Sequence, residues 1–184
     1  MHDNNLINVI TADHRAVEAA FSELEANLTT PKQRRDLVDH VIAELVRHSV
    51  AEEQFMYPAV RKYVPGGDEM ADHEIEEHAE AERVMKDLDE MDVSDPGFEI
   101  KLQELMHDIR HHVQEEETTL LPTLAAACSA SELEDLGEKV LAAKKVAPTR
   151  PHPSAPDTPP ANLIVAPGAG LIDRIRDALS GRQT

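Results

Sequence analysis

The sequence predicts an all-α protein, an up-down-up-down four-helix bundle with a short fifth helix and a Pro-rich C-terminal tail. Three observations predict it. Apolar residues recur at helical spacing along four segments of similar length, joined by short turns rich in Pro, Gly, Ser and Asp. Glycine is rare before residue 160 and β-branched alternation is absent, so nothing reads as a strand. The chain also repeats itself. HSVAEEQFMYP, from His48 to Pro58, and HVQEEETTLLP, from His112 to Pro122, both fit H-x-x-x-E-E-x-x-x-x-P at a step of 64 residues. The same step carries His14 onto His78, Glu18 onto Glu82 and Leu24 onto Leu88. A repeat of this length is one supersecondary unit copied once, here a pair of helices.

The first helix should start near Asn4 or Asn5 and run to about Leu28, with Ile7, Ile10, His14, Val17, Phe21, Leu24 and Leu28 on one stripe. Thr30-Pro31 supplies a cap and a first helical proline for the second. Its inward stripe is Leu37, Val41, Leu45, His48, Glu52 and Phe55, which points the histidine and glutamate at the core. A turn at Pro65-Gly66-Gly67-Asp68 precedes the third helix, striped by Ala71, Ile75, His78, Ala81, Met85 and Leu88. Val93-Ser94-Asp95-Pro96 turns the chain into the fourth, which carries Leu102, Leu105, Ile109, His112, Glu116 and Leu120. Ser131 with Glu134 reads as a capping box opening the fifth helix, to about Lys145.

Composition divides the chain at residue 146. Residues 1–146 form the bundle, and 147–184 form a Pro-rich linker with a short amphipathic helix. APTRPHPSAPDTPP should be extended. Beyond it, Leu171, Ile172, Ile175, Ala178 and Leu179 make an apolar face expected to dock on the bundle or take a protein partner, with Arg174, Arg176 and Arg182 near the acidic surface. The formal net charge of -18 argues against a nucleic-acid partner. No apolar run suits an integral membrane span, and the N-terminus lacks a signal-peptide pattern. Cys128 is the single cysteine, so no intrachain disulfide forms, and a cytoplasmic location is expected.

Folding the repeat into a bundle gathers His14, His48, Glu52, His78, His112 and Glu116 at one height on inward faces. Burying these groups without partners would be costly, and two metal ions remove that cost. Imidazole and carboxylate without thiolate suit iron, manganese or zinc, with the two glutamates as bridges. Glu18 and Glu82, one turn beyond His14 and His78, are candidates to orient ligands. Tyr57, opposite His48, reads as packing. His2, His40, His107 and His152 read as surface or linker residues.

The order H…H-x-x-x-E…H…H-x-x-x-E resembles the hemerythrin-like, HHE cation-binding domain over about residues 4 to 145. That resemblance implies a non-haem di-iron site, two Fe ions with oxo or hydroxo and carboxylate bridges, held by His14, His48, Glu52, His78, His112 and Glu116. It also implies a small diatomic or peroxide ligand. The functions it suggests are oxygen or nitric oxide chemistry, gas sensing, catalase-like peroxide decomposition, or metal handling without turnover. The chain departs from the oxygen carriers, which have two histidines one turn apart on the third helix and H-x-x-x-x-D on the fourth. Here His73 and His78 are five apart and cannot share a face. Glu74, one turn before His78, is placed to be an extra ligand.

Overall fold

The computed structural model describes residues 4–27, 29–155, 157–159 and 161–182. His2, Leu28 and the side chain of Leu179, all assigned places from the sequence, lie outside the description. Among the described residues there are helices and no strands.

The helix α1 spans Leu6–Ala26, capped by Asn5, whose side chain accepts from the Ile7 N–H at 2.9 Å. It ends on Asn27 in the left-handed region at φ 52. In α2, Pro31–Ala51, the Thr30 cap and Gln33 form a reciprocal capping box. A π-helical turn, Glu52–Met56, continues without a break into α3, Tyr57–Tyr63. The second half repeats this design: α4 is Gly67–Glu90 and α5 is Phe98–Glu115, followed by a π turn at Glu116–Leu120 and α6 at Leu121–Ala127. The α3–α4 turn needs both its glycines. Gly66 sits at φ 75, and a Cβ on Gly67 would come within 2.2 Å of the Val60 carbonyl oxygen.

The two prolines of the repeat explain the π turns. Pro58 and Pro122 have no N–H, and in an α-helix their rings would press on the carbonyl four residues back. Widening the preceding turn relieves this: the Tyr57 N–H donates to the Glu52 carbonyl, and the Leu121 N–H to that of Glu116. Each π turn therefore opens on the glutamate of H-x-x-x-E. One extra residue per turn also rotates everything downstream by roughly 100° relative to an unbroken α-helix.

Two apolar cores fill the bundle. One joins Phe21, Leu24, Ile42, Leu45, Leu88 and Leu105; the other joins Leu6, Ile10, Met56, Val60, Leu120 and Leu124. The histidine and glutamate layer lies between them. The helix α7, Ala130–Lys144, packs across α1 and α2. A Cβ at Gly137 would meet the Asn4 carbonyl oxygen at 1.8 Å, so this crossing requires glycine. Its capping box uses Ser129 and Glu132 rather than Ser131 and Glu134. The same S-x-x-E spacing occurs twice, and Cys128 leaves α6 already extended, so the earlier pair is the one in place to cap.

The tail departs most from expectation. The helix α8 spans Ala161–Ser180, beginning before Gly170 and containing Pro167. Its inward face is polar and small: Asn162, Ala166, Gly170, Asp173 and Asp177. Leu171, Ile172 and Ile175 face solvent at 54–59 % exposure, so the apolar face does not dock. Instead α8 holds the linker. Asp173 accepts from the backbone N–H groups of Thr149 and Arg150 and from the His152 ring, while Asp177 accepts from the Thr149 hydroxyl and Arg150 Nε. Arg150 and Arg182 reach Asp89, and the His152 N–H donates to Glu82. His152 is thus a fastening, not a free linker residue. Replacing Asp173 by Ala strips acceptors from two backbone N–H groups and one ring, each costing about 1–3 kcal/mol when left buried. Hydrogen exchange across residues 147–182 should then accelerate at least tenfold while bundle amides keep their protection. Unchanged exchange in the tail would show that the clasp does not hold it.

Candidate metal centre

The structure brings together all six residues expected from the repeat. Each is at most 5 % exposed, and Glu52 and Glu116 are fully buried. The Nε2 atoms of the four histidines face inward. His14 Nε2 lies 3.3 Å from Glu116 Oε2, His48 Nε2 3.1 Å from Glu52 Oε2, His78 Nε2 3.5 Å from Glu52 Oε2, and His112 Nε2 3.8 Å from Glu116 Oε1. The potential donors fall into two overlapping groups on either side of the centre. One is His14, His48, Glu52 and Glu116; the other is His78 and His112 with Glu52. Glu116 also stands with His112 and Glu74. The glutamates are thus common to both sides.

The outward Nδ1 atoms show what sequence reasoning missed. The His48 Nδ1–H donates to Asp13 at 3.3 Å, and that of His112 donates to Glu77 at 2.9 Å. His78 meets Glu53 at 3.2 Å, and His14 meets Glu117 at 2.9 Å. Each imidazole is held by a carboxylate from a neighbouring helix, and the arrangement maps onto itself under the 64-residue step. Carboxylate–imidazole pairs of this kind fix ring orientation and tautomer, leaving Nε2 with a lone pair directed inward. The signal was visible: it is the second glutamate of each H-x-x-x-E-E, and the acid preceding His14 and His78. Glu18 and Glu82, the expected orienting residues, lie elsewhere. Glu18 pairs with Arg110 at the surface, and Glu82 fastens the tail.

Tyr57, expected as packing opposite His48, is instead fully buried inside the centre. Its hydroxyl lies 3.0 Å from His78 Nε2 and 3.1 Å from Glu116 Oε1. The π turn supplies the rotation that brings it there. Glu74 stands where the first half has Ile10, and its Oε2 lies 3.0 Å from His112 Nδ1. It therefore reaches the outer side of His112 while remaining near Glu116. His73 is excluded from this layer: it faces solvent beside Glu115 at 3.0 Å. Cys128 is not among the clustered donors and packs against the core that joins Leu6, Val60 and Leu124.

Burial and mutual crowding disturb the ionisation of these groups. Burial, and next the Glu116 charge, push the Glu52 carboxyl well above the carboxylate range. Burial opposes ionisation of Glu116 too, but His112 and His14 hold it down at about 2. Burial drives His78 well below the usual imidazole value, while Glu116, Glu74 and Glu77 overcome burial and raise His112. The two imidazoles that face each other across the centre are thus pushed in opposite directions. His14 Nε2, both Glu52 oxygens and Glu116 Oε2 are buried and make no hydrogen bond. The Nε2 atoms of His78 and His112 face each other at 3.1 Å. Inward lone pairs and unsatisfied carboxylate oxygens, all nitrogen or oxygen, fit borderline to hard metal ions.

Residues 5–124 match the family described as hemerythrin HHE cation binding domain. The chain belongs to that family. An uncharacterized hemerythrin-like protein of Schizosaccharomyces pombe is 31% identical over 173 residues, 94% of this chain and 85% of that protein. A DNA nickase of Nostoc sp. is 28% identical over 142 residues, 77% of this chain and 40% of that enzyme. The crystal structure of an HHE cation-binding domain-containing protein from Mycobacterium kansasii shares the fold at a TM-score of 0.66 and 23% identity, covering 77% of this chain and 85% of that one. The HHE match contains every residue of the cluster and its outer carboxylates, from Asp13 to Glu117, and ends before α7 and α8. Among the described residues, no helix is long and apolar enough to cross a membrane.

Losing one outer carboxylate should weaken metal binding without unfolding the bundle. Glu117→Ala frees the His14 ring, and a 10–100-fold loss of affinity is expected. His73→Ala should leave affinity unchanged. Competition with a metallochromic chelator measures both, and the reverse order would contradict the layer described here.

Proposed function

We propose that the chain holds two iron ions in a non-haem di-iron centre and that its function is redox or gas chemistry on a small ligand, a diatomic or peroxide. His14, His48, Glu52, His78, His112 and Glu116 would hold the ions, with Glu74 as a further donor and the two buried glutamates within reach of both donor groups. Residues 1–146 are the metal-binding unit and 147–184 an appended strap. The observation that carries this reading is the pair of donor groups overlapping at Glu52 and Glu116, with unsatisfied lone pairs converging between two apolar cores.

Adjacent iron ions supply two electrons, or accept them, without a further cofactor. The chain's own residues do the rest. Asp13, Glu53, Glu77 and Glu117 fix the four imidazoles. The Tyr57 hydroxyl is a proton donor to Glu116 or to His78, and it stands buried between them. The cores above and below exclude bulk water, which strengthens every charge interaction inside. The exposed Leu171, Ile172 and Ile175 leave room in this reading for a protein partner at α8.

The test is anaerobic reconstitution with ferrous iron, followed by separate exposure to oxygen, nitric oxide and hydrogen peroxide while the optical spectrum is recorded. New absorption with at least one of them is expected. Turnover of peroxide to oxygen and water would mark an enzyme, and a stable spectral change without turnover a sensor. Retention of metal with no response to any of the three would overturn the redox reading and leave metal handling.

A further inference from the structure

Two cavities meet at the centre. An outer one of about 70 Å³ lies between the tail and the bundle, roofed by Pro148, His152, Pro153 and Ala169 and floored by Val46 and Ile75. An inner one of about 20 Å³ lies among the four imidazoles, walled by Val17, Leu45, Ile109 and Val113. Ser49 and His78 are common to both linings. The partition between tail cavity and inner cavity is thus one serine and one candidate ligand.

We propose that the C-terminal strap roofs the route by which a neutral molecule of two heavy atoms reaches the centre, passing from the outer cavity by Ser49 and His78 into the inner one. The proposal rests on the metal-centre reading for its destination. Size supports the ligand class: a cavity needs about 10–15 Å³ to hold one water, so the inner one takes a single molecule of diatomic dimensions. Between the imidazoles and Asp13 its walls are aliphatic, and that part of the lining favours an uncharged guest. Glu53, Glu82 and Asp157 line the outer cavity, a field that disfavours anions. The strap is fastened well enough to act as a roof, through Asp173 and Asp177 to residues 149–152 and through Arg150 and Arg182 to Asp89.

A second hollow of about 140 Å³ lies outside His112 between α4 and α5. The hollow shares His78, Ile109 and His112 with the inner cavity, so passage from it requires displacing one of three large side chains, of which Glu74 and Glu77 pin His112. The tail side offers Ser49, a small side chain, at the partition. The hollow is bordered by Glu77, Glu80 and Asp108, as acidic as the outer cavity, so side-chain size at the partition and not charge separates the two routes.

The experiment uses the full-length, ferrous-loaded protein and nitric oxide as the probe, with binding followed by stopped flow. Ser49→Met fills the partition, and Ala169→Leu fills the outer cavity from the half-buried face of α8, in the strap and outside the donor layer. Both should slow nitric oxide binding at least tenfold, with iron content equal to that of the unmodified chain. Rates within twofold of the unmodified chain in a variant that retains its iron would overturn the route and point to the α4–α5 hollow. Should the unmodified chain itself hold no iron, the metal-centre reading fails separately. The route is then decided on the metal-free protein by xenon exchange in 129Xe NMR, where slowing by both substitutions supports it and unchanged exchange overturns it.

Discussion

Glu52→Gln should lower metal affinity by more than the 10–100-fold that loss of an outer partner costs, while making the metal-free protein more stable. Both effects follow from one carboxylate. With metal bound, Glu52 would supply the negative charge common to the two donor groups, where an amide offers a weaker, uncharged oxygen. In the metal-free state burial and Glu116 raise its pKa well above 4.5. A carboxyl whose folded pKa is raised binds a proton more tightly folded than unfolded. Its contribution is therefore intact below the unfolded value and is lost as pH rises from there towards the folded value. At neutral pH the cost is at most about 3 kcal/mol, from 1.36 kcal/mol per pH unit above the unfolded pKa. The neutral amide of the variant avoids it. With about 2–4 °C per kcal/mol for a chain of this size, the metal-free variant should melt up to roughly 10 °C higher near neutral pH. The gap should close as pH falls towards 4.5. Thermal melts at several pH values, with and without metal, check both halves. A variant that binds metal normally, or whose metal-free form is less stable, would contradict the role given to Glu52.

Removing metal from the unmodified protein should have the second large effect. A ligand that binds only the folded chain stabilises it by about 4 kcal/mol when present at a thousand times its dissociation constant. At the same conversion, chelation should lower the melting temperature by about 10 °C. The loss should be concentrated where donors were gathered. Hydrogen exchange should rise first in the π turns at Glu52–Met56 and Glu116–Leu120 and least in the upper core around Phe21, Leu88 and Leu105. Acid should mimic chelation, because the imidazoles and carboxylates must shed protons to hold metal, so affinity falls with pH. A melting temperature indifferent to chelator would mean that the layer is satisfied without a cation.

Much of this centre was legible because duplication writes each residue twice. His14 with His78, His48 with His112 and Glu52 with Glu116 all sit on apolar stripes, and a polar residue preserved there in register has a reason to be buried. The start of the first helix near Asn5 and the cap of the second at Thr30 followed from local rules. Tyr57 did not, because its direction depends on a turn that departs from 3.6 residues per turn. Pro58 was the available sign, since a proline inside a helical pattern has to be accommodated. The outer carboxylates were marked by the repeat but not by helical phase: on phase alone Asp13, Glu53, Glu77 and Glu117 point away from the core, and only the neighbouring helices show that they reach a ring. The tail was illegible for a related reason. Apolar periodicity selects Leu171, Ile172 and Ile175, but the face that packs is the polar and small stripe from Asn162 to Asp177. Matched hydrogen bonds to Thr149, Arg150 and His152 decide that contact, and such matching is a property of two segments together.

The central claim is that one buried layer holds two ions sharing Glu52 and Glu116. Anomalous scattering at the iron edge from crystals of the iron-reconstituted protein tests it most directly. Two peaks are expected between the cores, about 3.5–4 Å apart, the separation usual for two-metal sites. One should be reached by His14 and His48, the other by His78 and His112, and both by the two glutamates. A single peak, or a peak only beside His73, Glu77 and Glu115 at the surface, would contradict it.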